Sequence, residues 1–346
     1  MNKGLLVAAA ALLLLAPALD AGDEGGRDHV LKAAIEAMHQ ERFDDALAGA
    51  DELRRRFPDD PAGPLLAANI HQTFMRDYRV RDREPEFEAA LAEGERLAEA
   101  ALARGATAEA YFARGTARGY RMLHAYRRGA TLAALRGALA SAGDMKRALA
   151  ADPTLVDPML GLALFDYWKS VKLPFGLFGD RLGAVERLQT VWSDGRFLGV
   201  DGAYALQTVL YREEDAAAAL EVNDWLFARF PTSPVCLYQR ALILEALDRR
   251  GPALAVWDAL VAHIEASGRP SQGFLAECQL HRALLLRAGG AEADARRALE
   301  RARAHARARV TDHELEGPLE DFDHVLGRIV ALTREKPRRP QATAKT

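Results

Sequence analysis

Apolar residues recur at intervals of three and four along most of this chain, and that spacing constrains the fold more than any other feature. On an α-helix, positions three and four apart share one face. Ala and Leu fill most of them. Sustained period-two alternation is absent, and no Asn-Gly or Asp-Gly turn stands between β-branched runs, so strand pairing has no foothold. The fold class is therefore all-α.

The helices come in pairs. Between Val30 and Pro58, Ala34 takes a small position on a first helix. Phe43 precedes a second helix, Ala46, Ala50 and Leu53 line it, and Pro58 closes the unit within Arg56-Phe57-Pro58-Asp59-Asp60-Pro61. Small side chains let paired helices approach, and large ones fill the gap to the next pair. Leu226, Phe230 and Pro231 close a second such unit, and Ala148, Asp152 and Pro153 a third. From Pro234, Leu237, Ala241 and Leu244 form a first helix, followed by Ala253, Trp257 and Leu260 on the next. A shift of 42 residues superposes Cys236 on Cys278, Arg240-Ala241-Leu242 on Arg282-Ala283-Leu284, and Ala253 on Ala295.

This phrase resembles the tetratricopeptide (TPR) repeat, a 34-residue helix pair with small residues at the crossing and a Pro after the second helix. The resemblance covers most of the chain beyond residue 21. It implies an α-solenoid of about seven irregular TPR-like helix pairs plus a C-terminal helix. Pairs are expected near 27–60, 62–104, 107–152, 155–196, 200–231, 234–267 and 271–309. A last helix is expected near 318–334, opened by Gly317-Pro318, since Pro is tolerated in a first helical turn. Glu320, Asp321 and Asp323 there complement the positive helix start.

The two ends read differently. Lys3, the apolar run Leu5 to Leu15 and the small-residue site Ala16-Pro17-Ala18, with Ala21 beyond it, form a secretory signal peptide over residues 1–21. The run is shorter than the roughly 20 residues a bilayer span needs. The expected address is periplasmic or secreted, with no span after cleavage and peripheral envelope association open. The helical domain covers 22–335, and the basic, Pro-containing tail 336–346 is expected to be disordered.

Charge excludes some partners. A formal net charge of −3 gives no global field for nucleic acid. Only seven of the 46 basic residues are Lys, which reads as codon bias rather than phosphate recognition. The run Arg301 to Arg309 alternates, so its charge spreads around a helix. Cys236 and Cys278 fall at equivalent places on neighbouring repeats, about 8–10 Å apart. A disulfide wants Cα atoms nearer than about 7 Å, so two buried thiols are favoured over a bridge.

Chemistry-bearing residues concentrate in the irregular part, 107–196. Tyr111, Arg114, Arg118 and Arg121 share one helical stripe, suited either to carboxylate or phosphate groups or to a solvated face with tyrosines packed between repeats. Farther on, Tyr167, Trp168, Lys169 and Lys172 precede an apolar, Gly- and Pro-punctuated loop carrying Phe175 and Phe178. Aromatics beside cations suit a ligand or partner site; alternatively the loop plugs the solenoid. Asp180 is a natural N-cap for the next helix. The stretch Pro174-Phe175-Gly176-Leu177-Phe178-Gly179-Asp180-Arg181 is similar to bacterial TPR-like proteins. It also resembles the eukaryotic TPR family linked to mitochondrial outer-membrane inclusion clearance, over residues 155–195. That resemblance implies an adaptor and carries over no catalytic residue.

No nucleophile elbow, P-loop, H-E-x-x-H or C-x-x-C is present. His313 has no second His at ligand spacing, and Glu213-Glu214-Asp215 suits turn and capping duties. No catalytic residue, metal or cofactor is expected. The leading reading is a scaffold for protein–protein interaction in the cell envelope, using the first helix of each pair on a concave face. The alternative is a carrier for a small acidic or lipid-like ligand near 165–181.

Overall fold

The computed structural model describes residues 24–172, 179–268 and 270–334. The signal segment, Phe175, Phe178, the Lys172 side chain and the tail 336–346 lie outside the described residues.

Seven helix pairs follow in order. They are α1 (Glu24–His39) with α2 (Phe43–Arg56), α3 (Ala62–Tyr78) with α4 (Glu84–Arg104), and α5 (Ala108–Arg127) with α6 (Thr131–Ala151). Then come α7 (Pro158–Lys172) with α8 (Arg181–Asp194), α9 (Gly199–Arg212) with α10 (Ala216–Arg229), and α11 (Pro234–Ala246) with α12 (Arg250–Ala266). The last pair is α13 (Gln272–Ala288) with α14 (Glu292–Ala308), followed by α15 (Phe322–Arg334). Each helix packs on its neighbours in sequence. The chain is an all-α solenoid, as its apolar spacing implies.

One turn recurs inside the pairs. Glu41, Arg79, Gly129, Glu214, Asp248 and Gly290 all have positive φ and follow the first helix of six of the seven pairs. After each, an amide reaches five residues back, as in Arg42 N–H to Ala37 O (2.9 Å) and Arg249 N–H to Leu244 O (2.9 Å). This closure satisfies helix-end carbonyls and reverses the chain tightly. Side-chain caps open several helices: Thr107, Asp180, Asp215, Ser233 and Ser271 each accept from an amide three residues on.

Two kinds of helix result. The second helices bury a single stripe, such as Phe43, Ala46, Ala50 and Leu53 on α2, the pattern of a surface helix. First helices form an inner layer, in which α1 touches α3, α3 touches α5, and α9 touches α11. On α3 every residue from Ala62 to Thr73 is buried, and α13 is buried from Gly273 to His281. Small residues allow the crossings: a Cβ built on Gly49 would lie 2.7 Å from that of Ala34. The 42-residue similarity also has a physical counterpart. Arg240 on α11 bonds Asp224 on α10, and Arg282 on α13 bonds Asp258 on α12. Cys236 and Cys278 are free, buried thiols.

The superhelix closes on itself. α3 touches α11 across the centre. The first pair reaches the fifth, with Glu36 bonded to Arg229 (3.0 Å) and His39 packed on the rings of Tyr204 and Phe230. Residues 309–321 then run back over the inner face as a strap. Arg81 N–H donates to His313 O (3.0 Å) and Leu315 N–H to Arg79 O (2.9 Å), around a bridge between Val80 and Glu314. Buried Glu314 accepts from Ser271 Oγ (2.6 Å) and the Gly273 amide (2.7 Å), tying the strap to the start of α13. This corrects two expectations. The last helix begins at Phe322 rather than 318, because Gly317-Pro318 belongs to the strap. The first helices do not present an open concave face, because the strap and the closed ring cover it.

Ring closure also sets a pH dependence. Tyr78 Oη donates to Glu41, and His263 Nε2 lies 2.8 Å from the same carboxylate oxygen. Burial alone raises the Glu41 pKa, yet hydrogen bonds from His263, Tyr78 and Thr232 hold it below its ordinary 4.5. The bond to Glu41 raises the His263 pKa above 6.5, against an opposing effect of burial. A depressed carboxyl contributes stability above pH 4.5 and loses it as pH falls through the folded value; a raised imidazole contributes below pH 6.5 and loses it as pH rises through the folded value. The pair's own contribution, read as the difference in urea midpoint between wild type and His263→Gln, should therefore be largest, at about 1 kcal/mol equivalent, between pH 4.5 and 6.5 and should shrink as pH rises through the folded His263 value. Urea titrations from pH 4 to 8 check this.

Candidate functional site

The arginine stripe of α5 is engaged by the protein's own carboxylates. Arg114 grips Asp144 of α6 with two bonds (Nε 2.9 Å, Nη2 2.8 Å) and reaches Glu99 of α4 (3.1 Å). Arg118 bonds Asp144 (2.7 Å) and Glu99 (3.3 Å). Arg121 grips Glu95 of α4 (2.6 and 2.9 Å). Asp144 is fully buried while Glu99 and Arg121 remain half exposed, so the desolvated part of the network is the two-bond fork of Arg114 on Asp144, a strong geometry. Hydrogen bonds donated to Asp144 chiefly hold the Arg114 pKa above its ordinary value. Tyr111 packs beside Arg114 and Arg147, with both guanidiniums 5.9 Å from its ring centre. The stripe stitches α4, α5 and α6 together rather than waiting for a ligand.

The second group divides. Tyr167 is buried and donates to Glu213 (2.8 Å). Lys169 pairs with Asp166 (2.6 Å) and lies 4.8 Å from the Phe165 ring centre. Trp168 faces a groove between α5, α6 and α7, and its buried indole N–H has no acceptor among the described residues.

That groove has a clear origin. Gly119 on α5, Ala134 and Ala138 on α6, and Gly161 on α7 leave space where larger side chains would meet. Met122, Leu164, Phe165 and Trp168 line a cavity of about 150 Å³. On its α6 side the wall continues outward as Leu132, Leu135 and Leu139, which are 61%, 40% and 56% exposed. Val171 and Leu182 add exposed apolar surface on α7 and α8. A cluster of exposed leucines beside an apolar cavity departs from the scattered single residues of an ordinary surface. Of the sequence-derived candidates, Tyr167 and Trp168 line this place. The leucine stripe was missed, though its signal is visible: α6 is apolar on two faces, with Ala142, Met145 and Ala148 buried on the other.

Two further clusters lie elsewhere. A cavity of about 500 Å³ beneath the strap is lined by Tyr211, Arg212, Tyr238, His281, Asp321 and His324. His281 is held there by Glu245 (2.9 Å) and stacks on Trp257. Glu84, Glu88 and His124 bring three ligand-type atoms within 4.8 Å of one another. Here His124 turns Nδ1 to Glu84 (3.7 Å) and Nε2 to Glu88 (2.8 Å), while Arg81 and Arg128 pair with the same carboxylates. Two imidazole edges facing two neutralised carboxylates make an ion-pair cluster. Burial sets the His124 pKa below its ordinary value. Among the described residues no helix is long and apolar enough to cross a membrane.

No family model matches the chain, and no curated protein matches it. Among matching solved structures is the C-terminal part of a TPR repeat-containing protein from Cytophaga hutchinsonii. It is 13% identical, covering 79% of this chain and 94% of that one, with a TM-score of 0.42. A tetratricopeptide repeat protein from Parabacteroides merdae is 11% identical, covering 88% and 99%, with a TM-score of 0.38. At these values neither likeness bears on the site. The chain's own paired helices, small-residue crossings and repeated helix-ending turns give it a TPR-like solenoid fold.

Proposed function

We propose that this protein is a non-enzymatic scaffold of the cell envelope, exported by residues 1–21, which holds a protein partner on its outer edge at α5–α8. The observation that carries this reading is the exposed leucine cluster of α6 beside the α5–α7 cavity, on a solenoid whose inner face its own strap covers. Stacked helix pairs give a rigid platform, and a rigid platform favours a preorganised interface. The arginine–carboxylate network of α4–α6 and the Glu84–Glu88–His124 cluster are engaged in ion pairs that hold helices together, which gives catalysis there little support.

The carrier alternative meets a size limit. A cavity of about 150 Å³ matches one that takes a benzene ring, whereas ligand pockets usually span about 300–1,000 Å³. Native mass spectrometry of the purified protein separates the two readings, since a carrier retains a small-molecule adduct and a scaffold does not.

Crosslinking pull-down of the mature chain from its native envelope tests the scaffold. One protein partner should be recovered and lost in the Leu135→Glu, Leu139→Glu double variant, with circular dichroism unchanged. Recovery of no partner by the wild type contradicts the reading.

A further inference from the structure

We propose that the groove between α5, α6 and α7 docks one amphipathic helix of the partner protein, apolar on the docked face and acidic on its flanks. This rests on the scaffold reading and names the partner's chemistry.

Shape sets the first requirement. Leu132, Leu135 and Leu139 lie three and four residues apart on α6, a stripe about 10 Å long at 1.5 Å per residue. That is two helical turns, the length over which a helix in a groove places anchors at i, i+3 or i+4, and i+7. Beside the stripe, Met122, Phe165 and Trp168 bound room for about 150 Å³. One Leu or Phe of the incoming helix fills it, as a central anchor in a desolvated pocket does. A flat bilayer surface reaches the leucine tips but not this recess.

Charge sets the second. Arg118, Arg121 and Arg128 are already paired with Glu99, Glu95 and Glu88, so the cationic charge left for a partner lies on α6. The exposed charged residues of α6 are Arg136, Lys146 and Arg147, all cationic, because Asp144 is buried. Arg136 and Lys146 pair with no carboxylate of the described protein. A helix with Lys or Arg on its flanks meets like charge there, whereas Asp and Glu gain attraction and faster encounter. The Trp168 indole N–H, buried and without an acceptor among the described residues, adds a donor that a carboxylate or carbonyl of the partner satisfies.

The test uses the mature protein and a labelled, stapled 18-residue helix with Leu and Phe at i, i+3, i+4 and i+7 and Glu elsewhere. A twin peptide carries Lys for every Glu. Fluorescence anisotropy should show saturable binding of the Glu helix, weakened at least about tenfold by Leu135→Glu or Leu139→Glu. Binding should weaken with Arg136→Glu and with added salt, and the Lys helix should bind at least about tenfold more weakly than its twin. Absence of binding, or equal binding of both peptides, overturns the proposal. So does co-sedimentation with phosphatidylglycerol vesicles that Leu135→Glu abolishes, or self-association through this face in analytical ultracentrifugation. Should the peptides fail while the envelope pull-down still yields a partner that is lost in the Leu135→Glu, Leu139→Glu double variant, the scaffold stands and this docking mode falls. Should the pull-down fail too, both fall.

Discussion

Replacing Arg79 with Ala should lower the unfolding free energy by about 3–5 kcal/mol, the cost of removing one partner from a buried ion pair. Arg79 is buried in a left-handed conformation, φ 54°, at the turn after α3. Its guanidinium lies 3.8 Å from the Phe274 ring centre and 4.7 Å from that of Tyr238, and it pairs with Glu277 of α13. Glu277 also accepts from Tyr238 Oη (2.6 Å). Burial raises the Glu277 pKa, but Arg79 and its neighbours more than offset this and hold it below the ordinary value. Without Arg79, that carboxylate stays in the interior with too few donors. The strap loosens as well, since its Gly317 packs on Arg79, where a Cβ would lie 3.0 Å from Nη1. Glu277→Gln should cost a similar amount by stranding the guanidinium. Arg79→Met combined with Glu277→Leu should recover much of the loss, because an apolar pair replaces a desolvated one. Urea unfolding followed by both circular dichroism and tryptophan fluorescence checks this; two probes are needed because repeat arrays do not always unfold as one unit.

Trp257→Ala should cost about 3–5 kcal/mol, as truncating a large core aromatic does. Trp257 on α12 is fully buried, donates its Nε1–H to Glu245, stacks on His281 at 4.7 Å and meets Tyr238 edge-on at 5.7 Å. The residue therefore joins α11, α12 and α13 through packing and one charge-assisted hydrogen bond. Trp257→Phe keeps most of the apolar volume and loses the donor, so about 1–2 kcal/mol is expected. If the two variants unfold at the same urea concentration, the hydrogen bond rather than the packing holds this junction.

Much of the helix-pair order was legible because the pairs bury their neighbours locally. Ala46, Ala50 and Leu53 mark the buried stripe of α2 in the sequence as they do in the fold. What was not legible depends on contacts far apart in the chain. The repeated left-handed turn is filled by Glu41, Arg79, Glu214 and Asp248 as well as by glycines, so no residue type announces it. Spacing put Arg114, Arg118 and Arg121 on one face, but their partners Glu95, Glu99 and Asp144 arrive from two other helices. The strap was hidden because Gly317-Pro318 is compatible with a helix start; the Arg79–Val80 backbone, more than two hundred residues earlier, holds it extended. Trp168 pointed to the candidate groove, whereas its leucines passed as ordinary helix residues. Phe175 and Phe178 fall outside the described residues.

The strap and the closed ring cover the first helices, and the proposed partner is left the outer α5–α8 edge. Amide hydrogen exchange of the mature protein tests this most directly, read at Arg81 and Leu315, whose N–H groups join the strap to the turn after α3. Protection at both amides should approach that of the buried inner helices and should be lost in Arg79→Ala. Exchange at the rate of an unprotected chain would contradict it: the inner face would then be open, and the partner's site would belong there.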